Sequence, residues 1–162
     1  MNFLSHYYFE RKNTNSNIVI GTVLPDFVKN AQKELNLYPQ KKPELFNTDK
    51  NLKQILEGWK RHLEVDQIFH SSDFFIQEMA KLKQLLLPIL TESPVRPSFL
   101  AHIGVELLLD HLLVLNGKIN INAFYDHLNE VEDQALKLFL TTSGAENTEP
   151  FFKFLNSFKS SK

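Results

Sequence analysis

Residues 99–115 constrain the fold of this chain most, because an almost wholly apolar segment there carries four ionisable side chains. They are His102, Glu106, Asp110 and His111. The first three recur every four residues and therefore share one stripe of a helix. A helix that is apolar on its other sides is normally buried, and an unpaired buried carboxylate costs several kcal/mol. The sequence therefore predicts a buried helix whose polar side chains bind metal, act as acid and base, or form a structural ion-pair network.

A second segment repeats this spacing. His62, Asp66 and His70 lie four residues apart, and Asp73 falls close to the same line of a helix. The apolar neighbours of these residues put the stripe at the edge of a buried surface. An exposed polar face of an amphipathic helix explains the stripe equally well. Both interpretations stay open from these residues alone.

Four further polar residues outside these two segments are possible site residues. Asn2 and His6 form another pair four residues apart on a predicted first helix. Asp26 directly follows Pro25, and capping a helix is its simplest role. His127 is predicted to be a surface residue. Only His6 and Asp26 of this set become candidates for a site.

Composition limits the class of protein. The chain has 162 residues with 43% hydrophobic content, which predicts one packed domain over residues 1–162. The net charge of −1 offers no electrostatic footprint for nucleic acid or for an anionic membrane. Cysteine is absent, so a transition metal would need nitrogen and oxygen ligands. The start lacks a signal-peptide pattern and the longest apolar run is short, so we expect a cytoplasmic protein without a transmembrane helix.

Apolar spacing of three and four residues, together with only five glycines, predicts an all-α, single-domain bundle of six to seven helices. Pro25 is expected to perturb the second helix, and Asp49 to cap the third. Ser71-Ser72-Asp73 either caps a new helix or bends one continuous rod. Residues 36–48 and 141–148 are predicted loops. The predicted helices are Phe3–Arg11, Ile18–Ala31, Lys50–His70, Phe74–Leu90, a buried helix from a Ser98 cap to Asn116-Gly117, Ala123–Leu140 and Glu149–Phe158.

Several motifs, read in order, resemble the acyl carrier protein phosphodiesterase family. The resemblance covers roughly residues 1–30, 55–75 and 100–115. The motifs are Asn2-Phe3-Leu4-Ser5-His6, the segment from Gly21 to Val28, Gly58 with His62 and Asp66, and Glu106 with Asp110-His111.

That family comprises all-helical relatives of the HD-type metal-dependent phosphohydrolases, and it removes the 4′-phosphopantetheine arm from holo acyl carrier protein. The resemblance therefore implies an HD-domain-like bundle, a phosphoester substrate and acyl carrier protein as a partner. It also implies a divalent metal, with Mn²⁺ expected and Fe²⁺, Mg²⁺ or Zn²⁺ as alternatives. Expected ligands are Asp26, His62, Asp66 and Asp110. The resemblance together with the helical spacing described above gives the catalytic candidates His6, His70, His102, Glu106 and His111.

A non-catalytic alternative remains at this stage. The same polar residues could form a buried hydrogen-bond network in a helical module that binds another protein. The aromatic tail from Phe151 to Phe158 would then be a docking helix, or a lid over the core.

Overall fold

The computed structural model describes residues 1–161, which contain eight α-helices and no strand. The all-α prediction is confirmed, although the described chain has more helices than the six to seven predicted. Two short 3₁₀ turns, Pro39–Lys41 and Pro43–Phe46, lie in the predicted loop. The helices are α1 Phe3–Glu10, α2 Ser16–Ala31, α3 Lys50–Ser71, α4 Asp73–Leu86, α5 Pro97–Leu115, α6 Ile121–Glu130, α7 Asp133–Thr142 and α8 Glu149–Lys159.

Side-chain caps define several helix starts. The Asp49 carboxylate accepts hydrogen bonds from two backbone amides at the start of α3, as predicted. The Ser72 hydroxyl accepts one from the Phe75 amide at 3.2 Å, so α3 ends there and α4 begins as a separate helix. The predicted cap of α5 is wrong, because Arg96 holds the N-cap position and Ser98 lies inside the helix.

Two other expectations need correction. Pro25 lies inside α2, which continues through it to Ala31. The helix predicted over Ala123–Leu140 is in fact two helices, α6 and α7. The break occurs because Val131 has extended backbone angles and is buried, while Glu132 and Asp133 begin α7 with acidic residues at its positive end.

Helices α2 and α3 form the most extensive helix pair in the molecule. Gly21 and Gly58 face each other where the two backbones meet. A Cβ added at Gly58 would lie 2.1 Å from the carbonyl oxygen of Ile18, and one added at Gly21 would lie 2.4 Å from that of Ile55. The approach is therefore possible only without side chains at these two positions. Around this pair, side chains of α1, α6, α7 and α8 complete the main apolar core.

Helix α5 is not the buried helix that its composition predicts. Only Ala101, Val105 and Asp110 are buried in it, and α5 packs mainly on α4 and α1. By length and composition alone it could cross a membrane, which for a single helix is a weak indication. The exposed large apolar residues of α5 are Phe99, Leu100, Leu107, Leu108, Leu112 and Leu115.

Candidate metal site

The candidate site begins with four side chains from three helices, which we call the inner group: His6 of α1, Asp26 of α2, and His62 and Asp66 of α3. Ligand atoms of the two histidines and Asp66 all lie within 4.8 Å of one another. Asp26 closes the group, with its oxygens 3.9 Å from Nε2 of His6 and 3.8 Å from Nε2 of His62. The imidazole rings of His6 and His62 stack with their centroids 3.8 Å apart.

A hydrogen bond aims the His62 imidazole at the carboxylates. Nδ1 of His62 lies 2.8 Å from the carbonyl oxygen of Thr22. A carbonyl only accepts, so Nδ1 carries the proton and Nε2 presents a lone pair toward Asp26. The close approach at Gly21 and Gly58 brings Thr22 within reach of α3.

Burial controls the charge of the inner group. Desolvation lowers the pKa of His6 to about 2, helped by the neighbouring His62. It lowers the pKa of His62 to about 4 and raises that of Asp26 to about 7. Both imidazoles are therefore neutral at physiological pH, as metal ligation requires.

Two buried atoms of the inner group have no hydrogen-bond partner. They are Nε2 of His6 and Oδ2 of Asp26, which lie 3.9 Å apart. Buried polar atoms are normally paired, and each exception needs a physical explanation. Neutral imidazole nitrogen beside carboxylate oxygen is a donor set that suits Mn²⁺, Fe²⁺ or Zn²⁺. The residues present therefore fit a divalent metal ion.

A second set of polar side chains, the outer group, consists of His70, His102 and Glu106. Nε2 of His70 lies 2.9 Å and Nε2 of His102 lies 3.1 Å from the same Oε1 of Glu106. The two rings stack with centroids 4.8 Å apart. Ligand atoms of this group also lie within 4.8 Å of one another. The outer group is more exposed than the inner one, and His102 is its most exposed member.

Asp66 joins the two groups. Its Oδ1 lies 3.8 Å from Nε2 of His6, and its Oδ2 lies 3.2 Å from Nδ1 of His70. The buried amino group of Met1 lies 2.6 Å from Oδ1 of Asp66 and 3.2 Å from Oε1 of Glu106. Burial alone would raise the pKa of Asp66, but its hydrogen bond to the amino group and the nearby positive charge lower it. Carboxylates of both groups thus converge on one positive charge.

Both ring nitrogens of His70 face oxygen atoms. Nδ1 contacts the backbone oxygen of Asp66 at 3.0 Å, and Nε2 lies 2.9 Å from the Glu106 carboxylate. A neutral imidazole donates from one nitrogen and accepts at the other. This geometry places His70 and Glu106 where a proton can move between them.

Asp110 is turned away from both groups. Its Oδ2 accepts from the backbone amide of Leu4 at 3.1 Å, and its Oδ1 accepts from the amide of Ser5 at 2.7 Å and from the Ser5 hydroxyl. These bonds tie α5 to the start of α1 and so help to place His6. The structure thus assigns Asp110 to anchoring α1, and its role as a ligand stays a prediction.

The remaining candidates lie apart from the cluster. His111 is exposed, and no hydrogen bond or ion pair joins it to a residue of the described chain. Asp73 is exposed on α4, whereas His127 contacts the Ser16 hydroxyl at 2.8 Å. The catalytic role expected of His111 has no support in this placement, because its helix points it away from His102 and Glu106.

Sequence patterns alone missed the Thr22 carbonyl, the Ser5 anchor and the contact between two glycines. Glycines inside helices of a glycine-poor chain were the available signal for that contact.

A cavity of about 690 Å³ opens beside the outer group. It is lined by Met79, Pro94, Val95, Arg96, Ser98, Phe99 and His102.

No protein-family model, curated protein or solved structure matches this chain. The resemblance to the acyl carrier protein phosphodiesterase family therefore rests on the quoted motifs alone. For this chain, the HD-domain-like architecture and the activity of that family are proposals.

Proposed function

We propose that this protein is a metal-dependent phosphodiester hydrolase with an HD-like helical architecture. The observation that carries the proposal is the pair of unpartnered buried atoms in the inner group, Nε2 of His6 and Oδ2 of Asp26. A metal ion shared by His6, Asp26, His62 and Asp66 would satisfy both atoms. When bound, such an ion polarises a phosphoryl oxygen and lowers the pKa of a bound water.

The outer group supplies the proton that the leaving oxygen needs. His70 and Glu106 form a pair 2.9 Å apart, between which a proton can move. His102 contacts the same carboxylate oxygen and also lines the cavity. A proton can therefore reach the cavity through His102 and protonate the departing alkoxide, which is general-acid catalysis.

We expect the substrate to enter through the cavity and to extend past His102, so that its phosphodiester reaches the inner group, because His102 lines the cavity and no inner-group residue does. Arg96, on the cavity wall, can donate two parallel hydrogen bonds to an anionic group elsewhere on the substrate. Asp66 keeps His70 oriented from the opposite side. The resemblance makes the 4′-phosphopantetheine phosphodiester of holo acyl carrier protein the first substrate to assay, and a small phosphodiester the second.

Metal binding is tested first, without reference to activity. Metal-free protein is titrated with Mn²⁺ and the bound ion is counted by electron paramagnetic resonance. We expect the wild type to bind Mn²⁺ and the Asp26→Asn and His62→Gln variants to lose about 10-fold or more in affinity. His127→Gln, a histidine variant outside both groups, should bind like the wild type. Circular dichroism confirms that each variant is folded.

Hydrolysis is then measured by mass spectrometry as release of 4′-phosphopantetheine from holo acyl carrier protein, with bis-p-nitrophenyl phosphate as the small substrate. We expect His102→Gln to bind Mn²⁺ normally and to lose about 100-fold or more in rate, the usual contribution of a general acid. A wild type that stays empty after dialysis against Mn²⁺, Fe²⁺ and Zn²⁺ would refute the proposal and favour a non-catalytic module.

A further inference from the structure

The outward side of α4 and α5 is an extended apolar surface that no other helix of the described chain covers. Seven side chains define what we call the α4–α5 face, and six of them are at least half exposed. The face consists of Phe74, Leu85, Leu100, Leu107, Leu108, Leu112 and Leu115. At about 100° per residue, the five leucines of α5 span an arc of about 140°.

The size of this face exceeds what a monomer normally exposes. Taking the exposed fractions of the seven residues together gives about 700 Å² of apolar surface, whereas the largest patch of a typical monomer covers about 300–600 Å². Each partner in a stable protein–protein interface buries about 800 Å². The face therefore has the area that one half of a dimer interface needs.

The shape of the face allows it to pack against itself. A groove of about 430 Å³ runs between the two helices, with Leu82, Val105 and Leu109 among its apolar walls. Leu107 and Leu115 lie beside the groove on the outward side of α5. A surface with a ridge next to a groove can dock on its own copy about a twofold axis, since each ridge then enters the other copy's groove.

Its charge also favours a second copy over other occupants. Two charged side chains line the groove, Glu78 and Lys81, and they form an ion pair with each other at 2.7 Å. A surface of one sign would repel its own copy, whereas this pair leaves the groove neutral. The exposed His111 is the one ionisable side chain of α5 that the helical spacing places among the leucines of the face. An acidic carrier protein or an anionic membrane would instead need basic residues, and α5 has no lysine or arginine.

Insertion of α5 into a membrane conflicts with the contacts of its other side. Asp110 accepts hydrogen bonds from Leu4 and Ser5, and Glu106 contacts His70. A spanning α5 would have to break these bonds and carry both carboxylates into lipid, which is costly. The helix can keep its polar contacts and still cover its apolar side only if the cover comes from outside the described residues.

We propose that this protein forms a twofold-symmetric homodimer in which the α4–α5 face of one copy packs against the same face of a second copy. The interface is a four-helix arrangement, with two helices from each copy. The proposal rests on exposed apolar area and does not depend on metal binding or catalysis.

The test measures the mass of the full chain by sedimentation velocity at micromolar concentration. We expect the wild type to sediment as a dimer and Leu108→Glu to sediment as a monomer, with a dissociation constant raised by about 100-fold or more. Leu108 is more than half exposed in the monomer, so the charge should leave the fold intact. Leu138→Glu, on an exposed leucine of α7, is the matched control and should stay dimeric.

Each remaining outcome decides the question. Leu115→Glu, near the end of α5, replaces Leu108→Glu if circular dichroism shows that the latter is unfolded. A monomeric wild type would overturn the proposal, and binding of that monomer to phosphatidylcholine vesicles would show that lipid covers the face. A face variant that stays folded and as dimeric as Leu138→Glu would place the dimer contact elsewhere and would also overturn the proposal.

Discussion

Replacing Gly58 with alanine tests whether the close contact of α2 and α3 builds the inner group. The added Cβ would lie 2.1 Å from the Ile18 carbonyl oxygen and 2.8 Å from the Cα of Gly21. Close contacts between carbon and oxygen are normally about 3.3 Å or longer, so the helices would have to separate by roughly 1 Å. That separation would also move Thr22 away from Nδ1 of His62.

The sign of the change in the free energy of unfolding shows whether Gly58 is in close contact with α2. Glycine inside a helix is about 1 kcal/mol less favourable than alanine, so the variant would be more stable if nothing faced Gly58. Overpacking a core costs about 1–3 kcal/mol, and here the neighbouring atoms are backbone, which cannot move aside. Taking the upper end of that cost, about 3 kcal/mol, less the gain of about 1 kcal/mol in helix propensity, we expect the free energy of unfolding to fall by about 2 kcal/mol.

Urea denaturation of the metal-free protein, followed by circular dichroism, measures this change. Gly104→Ala is the matched control, because its Cβ would meet only the end of the flexible Leu82 side chain, at 2.7 Å. We expect that control to be as stable as the wild type or more stable, by up to about 1 kcal/mol. A Gly58→Ala variant with the urea midpoint of the wild type or higher would refute the close-contact argument.

Two further predictions concern stability. Burial keeps His6 and His62 neutral in the folded protein, so below pH 6.5 these two residues bind up to two more protons in the unfolded chain. Asp26 has the opposite effect, because its raised pKa of about 7 lets the folded protein bind one proton that the unfolded chain does not. Burial also raises the pKa of Asp110, which offsets the histidines in the same way as Asp26. Stability of the metal-free protein should therefore fall from pH 6 to 4.5 by less than the about 1.4 kcal/mol per pH unit of one net proton, and urea midpoints that stay constant or rise on acidification would contradict this. Asp110→Ala should lower stability by about 3 kcal/mol, because it leaves two amides of α1 unpaired; a loss below about 1 kcal/mol in urea denaturation would remove its anchoring role.

Local signals in the sequence predicted much of the helical framework. The Asp49 cap and the bounds of α8 follow from single residues and short apolar patterns, which act within one helix turn. The spacing of His62, Asp66 and His70 put them on one stripe of α3. In the structure, Asp66 lies 3.2 Å from His70 and has a ligand atom within 4.8 Å of one of His62. These features need no knowledge of distant residues.

Features that depend on distant contacts were not predictable in the same way. The apolar pattern of α5 indicates that its surface should be covered. The pattern does not indicate whether the chain's own core or another molecule covers it. Val131 ends α6 because its side chain enters the core, which a helical pattern does not reveal. The turning of Asp110 toward α1, and of His111 toward solvent, follows from how α5 is rotated against α1 and α4.

The position of Asp66 makes the two groups thermodynamically dependent on each other. One of its oxygens faces His6 and the other faces His70, so a single negative charge acts on both groups. A cation held at the first oxygen would draw charge from the second and weaken the contact of the second oxygen with Nδ1 of His70. By reciprocity, a stronger contact with His70 would lower the cation affinity by the same factor. Cation binding and the placement of His70 would then be one linked equilibrium, with the Asp66 side chain as the link.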